Sequence, residues 1–268
     1  MSARTTSRSF TTEELLQQEV ELLSLWRDVA LPELFPLGPI FTGKPKALLE
    51  TIRRIELWVG SMQLFRDPCH HQAAAAGARA LSELRVDMKS LAADPDGSAL
   101  QKFEAFPEVE HFRASKKLVD FYRKVPDATP LQDLSAREAY VDDATRRDRI
   151  YATCRKLWGK DPAKDPIRGW PKHWTDRGND QRARAHGPVL EEHHVLTYAT
   201  LSLYLHSGAA GVPSGPENEV ALMGLAHAMA TQSFLSALAV LAQQIPLPKL
   251  LRELETWARR WHAAPLDV

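Results

Sequence analysis

Apolar residues recur along this chain at three- and four-residue spacing, and nowhere do they alternate convincingly with period two. Thr11-Thr12-Glu13-Glu14 has the form of a capping box: a hydroxyl at the helix start and a carboxylate three residues on. The helix it opens carries Leu15, Leu16, Val20, Leu23 and Trp26 near one face, and Pro32, Pro36, Gly38 and Pro39 close it. A second helix is predicted over 45–65, with Leu48, Ile52, Ile55, Val59 and Met62 as its apolar stripe. Asp67-Pro68 breaks the chain, and a third helix covers 72–93. It begins with alanines, small enough to let a neighbouring helix come close. Pro95, Asp96 and Gly97 then make a turn.

Helical segments follow at 98–104 and 110–125, interrupted afterwards by Pro126 and Pro130, and a polar helix spans 135–158. Residues 159–176 hold three prolines, two glycines and two tryptophans, the composition of an ordered loop. A short helix at 178–186 stops at Gly187-Pro188, and a long one runs over 189–206. A Gly/Pro loop at 207–216 leads into an uncharged helix, and 250–261 is a last amphipathic helix. The pattern is all-α: an irregular multi-helix bundle of about eight helices forming a single domain over 11–268, behind a short disordered tail at 1–10.

Composition narrows the classes. The chain has 268 residues, within the reach of one hydrophobic core, and its 34 Lys+Arg balance its 34 Asp+Glu. Zero net charge excludes a protein whose whole surface is built to hold nucleic acid or anionic lipid, but not one with a local basic patch. Cys69 and Cys154 match no metal-ligand spacing and fit a reducing compartment, so a cytoplasmic protein is expected. The first ten residues lack the apolar segment of a secretory signal. From Val220 to Pro248 there is no charged residue, a length that could span a bilayer. His227, Thr231, Gln232, Ser233 and Ser236 interrupt that stretch, which makes it a central core helix with no membrane role. No phosphate-binding glycine loop, zinc-protease helix, nucleophile elbow or dinucleotide fingerprint is present, and no cofactor is expected. Glu191-Glu192-His193-His194 and Cys69-His70-His71 are runs of adjacent residues, which point about 100° apart on a helix. Neither is read as a metal site.

Two polar rows stand out. His194, Tyr198, Ser202 and His206 are four residues apart, so successive members touch and the row drifts by about 40° per step. Such a row is either a satisfied core network or a pocket wall, with His206 as a base and Tyr198 and Ser202 positioning a ligand. Arg79, Glu83 and Asp87 share the same spacing on the third helix and could face the first row. A third feature is the segment 146–186, with twelve Lys/Arg against five acids and with Trp158, Trp170 and Trp174 interleaved. That mixture suits phosphate contact and base stacking, or a solvated helix followed by a loop pinned by its tryptophans.

The run Ala76-Gly77-Ala78-Arg79-Ala80-Leu81-Ser82-Glu83-Leu84 is followed by Leu91-Ala92-Ala93-Asp94-Pro95 and Phe103. Further on come His173-Trp174, Arg182-Ala183-Arg184-Ala185 and Tyr198-Ala199-Thr200-Leu201-Ser202-Leu203-Tyr204-Leu205-His206-Ser207. Over residues 45–210 this set resembles a bacterial all-helical family catalogued as a domain of unknown function, number fifty-six seventy-seven. The resemblance implies that Arg79, Glu83, His173, Trp174, Tyr198, Ser202 and His206 share a site. A looser similarity is to HEPN-like helical bundles, among them ribonuclease toxins and phage-defence proteins, whose motif is Arg then His after four to six residues. Arg66 to His71 and Arg168 to His173 fit that spacing, and nothing fits it ending at His206.

Two functional expectations result. One is a polar inter-helix pocket that binds a nucleotide or RNA, with HEPN-like ribonuclease or defence chemistry. There His206 is the base, Glu83 and Arg79 assist, and Arg182 meets phosphate charge. The other is a non-enzymatic interaction protein in which the same residues form a structural core network and an exposed face binds a protein partner. Homodimerisation through the alanine-rich or the terminal helix fits either.

Overall fold

The structure is a computed structural model that describes residues 10–125, 134–195, 200–202 and 215–261. Among the described residues all regular structure is helical: α1 Thr12–Ser24, α2 Gly43–Met62, α3 His71–Ala92, α4 Ser98–Lys124, α5 Ser135–Asp142, α6 Ala144–Trp158, α7 Asn179–Arg184, α8 Pro188–His193, α9 Pro216–Gln244 and α10 Pro248–Arg260. Eight of these are seven or more residues long. The chain divides into two compact units, Met1–Ala93 with Asn179–Val268, and Asp94–Gly178.

In the first unit, α1 opens on the capping box read from sequence. The Glu14 amide donates to Thr11 Oγ1 at 3.1 Å and the Thr11 amide donates to Glu14 Oε2 at 2.9 Å. The helical path does not stop at Pro32. It continues through a wider π-type turn at Leu25–Ala30 and one more turn at Leu31–Leu34, with Pro32 where the two meet. The expected stripe of α2 is the observed one: Leu48, Ile52, Ile55, Val59 and Met62 are all fully buried. The small residues of α3 permit the close approach that the sequence suggested. A Cβ on Gly77 would lie 2.5 Å from Met62 Sδ.

α9 packs against α1, α2 and α3. By length and composition it could cross a membrane, yet most of its apolar stretch is buried inside the unit. At its centre is an ionisable pair reached from both ends of the chain. His227 Nδ1 lies 2.9 Å from Glu19 Oε1 of α1, and both side chains are fully buried. His227 Nε2 lies 3.0 Å from the Phe65 carbonyl, just past α2, and Gln63 Nε2 donates to Glu19 Oε2 at 2.5 Å. A carbonyl only accepts, so Nε2 carries a hydrogen. One further proton lies between Nδ1 and Oε1, and the pair as a whole is neutral. α10 docks through Leu250, Leu254 and Trp257. Its first amides are capped from a distance: those of Lys249 and Leu250 donate to Glu33 Oε1 and Oε2 at 3.0 and 3.1 Å.

In the second unit, α4 runs unbroken through Pro107, where two shorter helices were expected. The proline forfeits one intrahelical bond, but Val109, Phe112, Ser115 and Val119 form a continuous buried stripe beyond it that outweighs the loss. The expected 135–158 helix is two helices. Asp143 is extended between them and its side chain accepts the Arg146 amide at 3.0 Å, which caps α6. Val109, Phe112, Ile150, Cys154 and Trp170 make the core. Burial pushes the Cys154 thiol up to about 11, so it is an inert packing residue. Gly169 lies so close to the Asp161 and Asp165 carbonyls that a Cβ would collide with both.

Burial pushes the Glu19 carboxyl up from its ordinary range, against the pull of His227 and Gln63. Burial acts to lower His227, but Glu19 and the Phe65 carbonyl outweigh it and the net shift is upward. Above the ordinary histidine value of 6.5 the unfolded chain releases a proton that the folded pair keeps. Stability from the pair is therefore full below that value and falls as pH rises, by up to about 1.4 kcal/mol per pH unit, until the folded value is passed. Urea unfolding between pH 6 and 9 measures this slope, and the double variant Glu19→Gln/His227→Gln removes it. His227→Leu, which strands Glu19, costs about 3–5 kcal/mol. Glu33→Ala costs about 1 kcal/mol and speeds hydrogen exchange at the Lys249 and Leu250 amides.

Candidate functional site

The polar face of α3 carries Arg79, Glu83 and Asp87 one turn apart, as their spacing requires. Arg79 Nε lies 3.4 Å from Glu83 Oε1, with side chains 34% and 38% exposed. What meets this face is α7. Asn179 Nδ2 donates to Glu83 Oε1 at 3.0 Å, and Arg182 Nη1 donates to Asp87 Oδ1 at 2.6 Å. Arg182 Nη2 also donates to Asn179 Oδ1. The pairing works because residues i and i+3 of α7 match the i and i+4 step of α3. One turn further on, Ser90 Oγ donates to the Val86 carbonyl at 2.8 Å, which leaves its lone pairs to accept from His186 Nε2, also at 2.8 Å. Val86, Ala183 and Leu190 pack as a small apolar cluster in the same unit.

Solvent access grades along this row. The Arg182 side chain is 2% exposed and that of Asp87 is 10% exposed, while Arg79 and Glu83 form an open rim. His194 follows α8 and is half-buried. Burial holds its imidazole below the ordinary range; Asp180 and Glu83 pull it up and Arg182 pushes it down. It is therefore a neutral imidazole at neutral pH, within electrostatic reach of the rim carboxylate.

Of the residues expected to share a site, Arg79, Glu83 and Arg182 come together on one row. Ser202 is half-buried next to the buried Leu201. Tyr198 and His206 lie outside the described residues, and so does the expected meeting of Glu83 with His206. His173 and Trp174 belong to the second unit. There the Thr175 amide donates to His173 Nδ1 at 3.2 Å, and the buried Trp174 ring stands edge-on to Phe103 at 5.5 Å. Asn179 and His186 were not anticipated. The only signal for them was the i, i+3 match between Asn179-Arg182 and the row on α3.

Two of the three tryptophans in the basic segment are turned into the second unit. Trp170 and Trp174 are buried, and Trp158 Nε1 donates to the Trp174 carbonyl at 2.6 Å. Several of its cations meet acids within the second unit: Arg149 pairs with Glu108, Arg155 with Asp161 and Lys160 with Asp176. That unit as a whole has seventeen Lys/Arg against fifteen Asp/Glu. Among the described residues no three His, Cys, Asp or Glu side chains converge as a metal site. Comparison of the chain with family models, curated proteins and solved structures found no match.

The gradient of exposure sets the expected mutational response. Asp87→Ala strands a buried guanidinium and costs about 3–5 kcal/mol, whereas Arg79→Ala removes a half-exposed pair and costs no more than about 0.5 kcal/mol. Urea denaturation of the two variants checks the contrast, and equal losses would mean that the Arg182–Asp87 pair is not sealed in solution.

Proposed function

We propose that this protein is a non-enzymatic helical interaction protein, in which the row from Arg79 to Arg182 is a joint that holds the 179–194 segment against α3. The observation that carries this reading is the sealed Arg182–Asp87 pair. A guanidinium buried against its own carboxylate cannot turn to a substrate phosphate without leaving a bare buried charge. Glu83, held by Arg79 and Asn179, is likewise committed to the joint.

A second reading has a specific observation in its favour. His194 is held neutral by burial, within electrostatic reach of Glu83, and a neutral imidazole is the form a general base needs. On this reading the rim binds a nucleotide or RNA and His194 takes the part expected of His206. The looser similarity to HEPN-like bundles points the same way.

Incubation with end-labelled single-stranded RNA at low and at physiological salt separates the two. The interaction-protein reading expects no cleavage above a buffer control and no binding that falls with salt. Cleavage that His194→Ala abolishes, with an unchanged melting temperature, would replace it with the ribonuclease reading.

A further inference from the structure

We infer that the first two turns of α1, Thr12–Glu19, are a strap latched onto α9 by the proton that Glu19 and His227 share, and that losing this proton releases the strap while the rest of the first unit stays folded. The start of α1 is held at few points. Of its first eight residues only Leu15, Gln18 and Glu19 are buried. Beside them a cleft of about 820 Å³ lies open between the start of α1, the 66–68 turn and the first half of α9. Past Glu19 the helix is tied more firmly. Leu22, Leu23 and Trp26 are buried, and Trp26 Nε1 and Arg27 Nε donate to Glu56 at 2.8 and 2.9 Å. Arg260 Nη1 and Trp261 Nε1 donate to Glu21 Oε2 at 3.2 and 2.9 Å.

Two of the strap's three buried residues are polar, and their fit is incomplete. Gln18 Nε2 is buried without a hydrogen-bond partner, and so is Oε1 of Gln63, whose amide nitrogen holds Glu19. Each such atom carries a desolvation cost that no bond offsets. The strap therefore depends on the contact of Glu19 Oε1 with His227 Nδ1 at 2.9 Å. His227 Nε2–H is committed to the Phe65 carbonyl at 3.0 Å. Without the shared proton Nδ1 turns a lone pair toward the carboxylate, two acceptors face each other, and the Glu19 charge stays buried with Gln63 as its donor. Undocking the strap returns that charge to water.

The surrounding elements leave the pair to itself. α9 has no charged residue from Val220 onward, and the end of α2 presents Gln63 and the Phe65 carbonyl. In the following turn Arg66 donates to the Gln63 carbonyl, Asp67 accepts the Cys69 amide, and His71 Nδ1 lies 3.1 Å from the Pro68 carbonyl. On α1 itself Glu13 is exposed, Glu14 is held in the cap and Glu21 by Arg260 and Trp261. The charge that acts on each member of the pair is the other member's. Burial acts to lower His227, and its bonds to Glu19 and the Phe65 carbonyl carry it above the ordinary value of 6.5, which it regains when the strap is open. Between that value and the closed one the closed strap holds one proton more than the open strap. Opening therefore grows about tenfold per pH unit across this window and levels off above it.

Hydrogen exchange of the full chain, read by mass spectrometry from roughly pH 6 to 10 and corrected for the intrinsic exchange rate, tests the latch. Amides of Leu15–Glu19 are expected to lose protection by about tenfold per pH unit above pH 6.5 until the loss levels off, while those of Met229–Leu241 in α9 and of Leu81–Leu91 in α3 keep theirs. The double variant Glu19→Gln/His227→Gln has no proton to lose and is expected to show pH-independent protection throughout α1. Should that variant fail to fold, the wild-type profile decides alone. Protection of Leu15–Glu19 that does not change with pH overturns the inference. So does a loss that spreads equally through α3 and α9, because the pair then supports the whole unit rather than latching one strap. A loss in α1 that persists in the double variant overturns it as well.

Discussion

The first unit depends on a proton shared between Glu19 and His227. Apolar burial is non-directional, and a bundle of leucine- and alanine-rich helices can gain it in many arrangements. A buried carboxylate cannot be placed so freely. Here it is satisfied only if α9 brings His227 to it, the end of α2 brings Gln63, and the Phe65 carbonyl fixes the far side of the ring. Any slip of α9 along α1 by a turn would leave an uncompensated buried group worth several kcal/mol. The apolar contacts supply the bulk of the stabilisation, and this pair selects which packing receives it.

The same division of labour holds on α3. Its Ala and Gly positions let α2 come close, with Gly77 against Met62, but small residues alone do not fix a register. The polar edge does. Glu83 with Asn179, Asp87 with Arg182, and Ser90 with His186 set three successive contacts between α3 and the segment that returns after residue 178. That segment is joined to α3 in sequence only through the whole second unit, so its place is decided by these contacts and by the small Val86, Ala183 and Leu190 cluster.

What was legible in the sequence is what local physics determines. The Thr11–Glu14 box, the Leu48-to-Met62 stripe, the alanine-rich close approach and the all-helical character follow from periodicity and capping within a few residues. Pro107 and Asp143 were misjudged for opposite reasons. The buried stripe of α4 overrides a local helix breaker, and a local cap overrides a polar stretch that could have continued as helix. The Arg79, Glu83 and Asp87 row was visible as a row, but its partners were not. Asn179 and Arg182 lie more than ninety residues further on. Glu19 and His227 were hidden more deeply. They are 208 residues apart, and His227 looked like an interruption of an apolar helix. Pairing at that range is a property of topology, which no local pattern encodes.

α9 shows why the uncharged stretch reads two ways. Past Glu219 its charge is absent, but for different physical reasons in its two halves. From Met229 to Leu241 nearly every residue is buried on all sides, and a charge there would have no solvent and no partner. From Val220 to Ala228 the inner side is equally buried, while the outer side is open to solvent and could have carried lysine or glutamate at little cost. Core packing accounts for the first half of that pattern only. On the outer side a Cβ on Gly224 would meet only Thr12 Oγ1, at 3.8 Å, and the small residues there let the start of α1 lie close to α9.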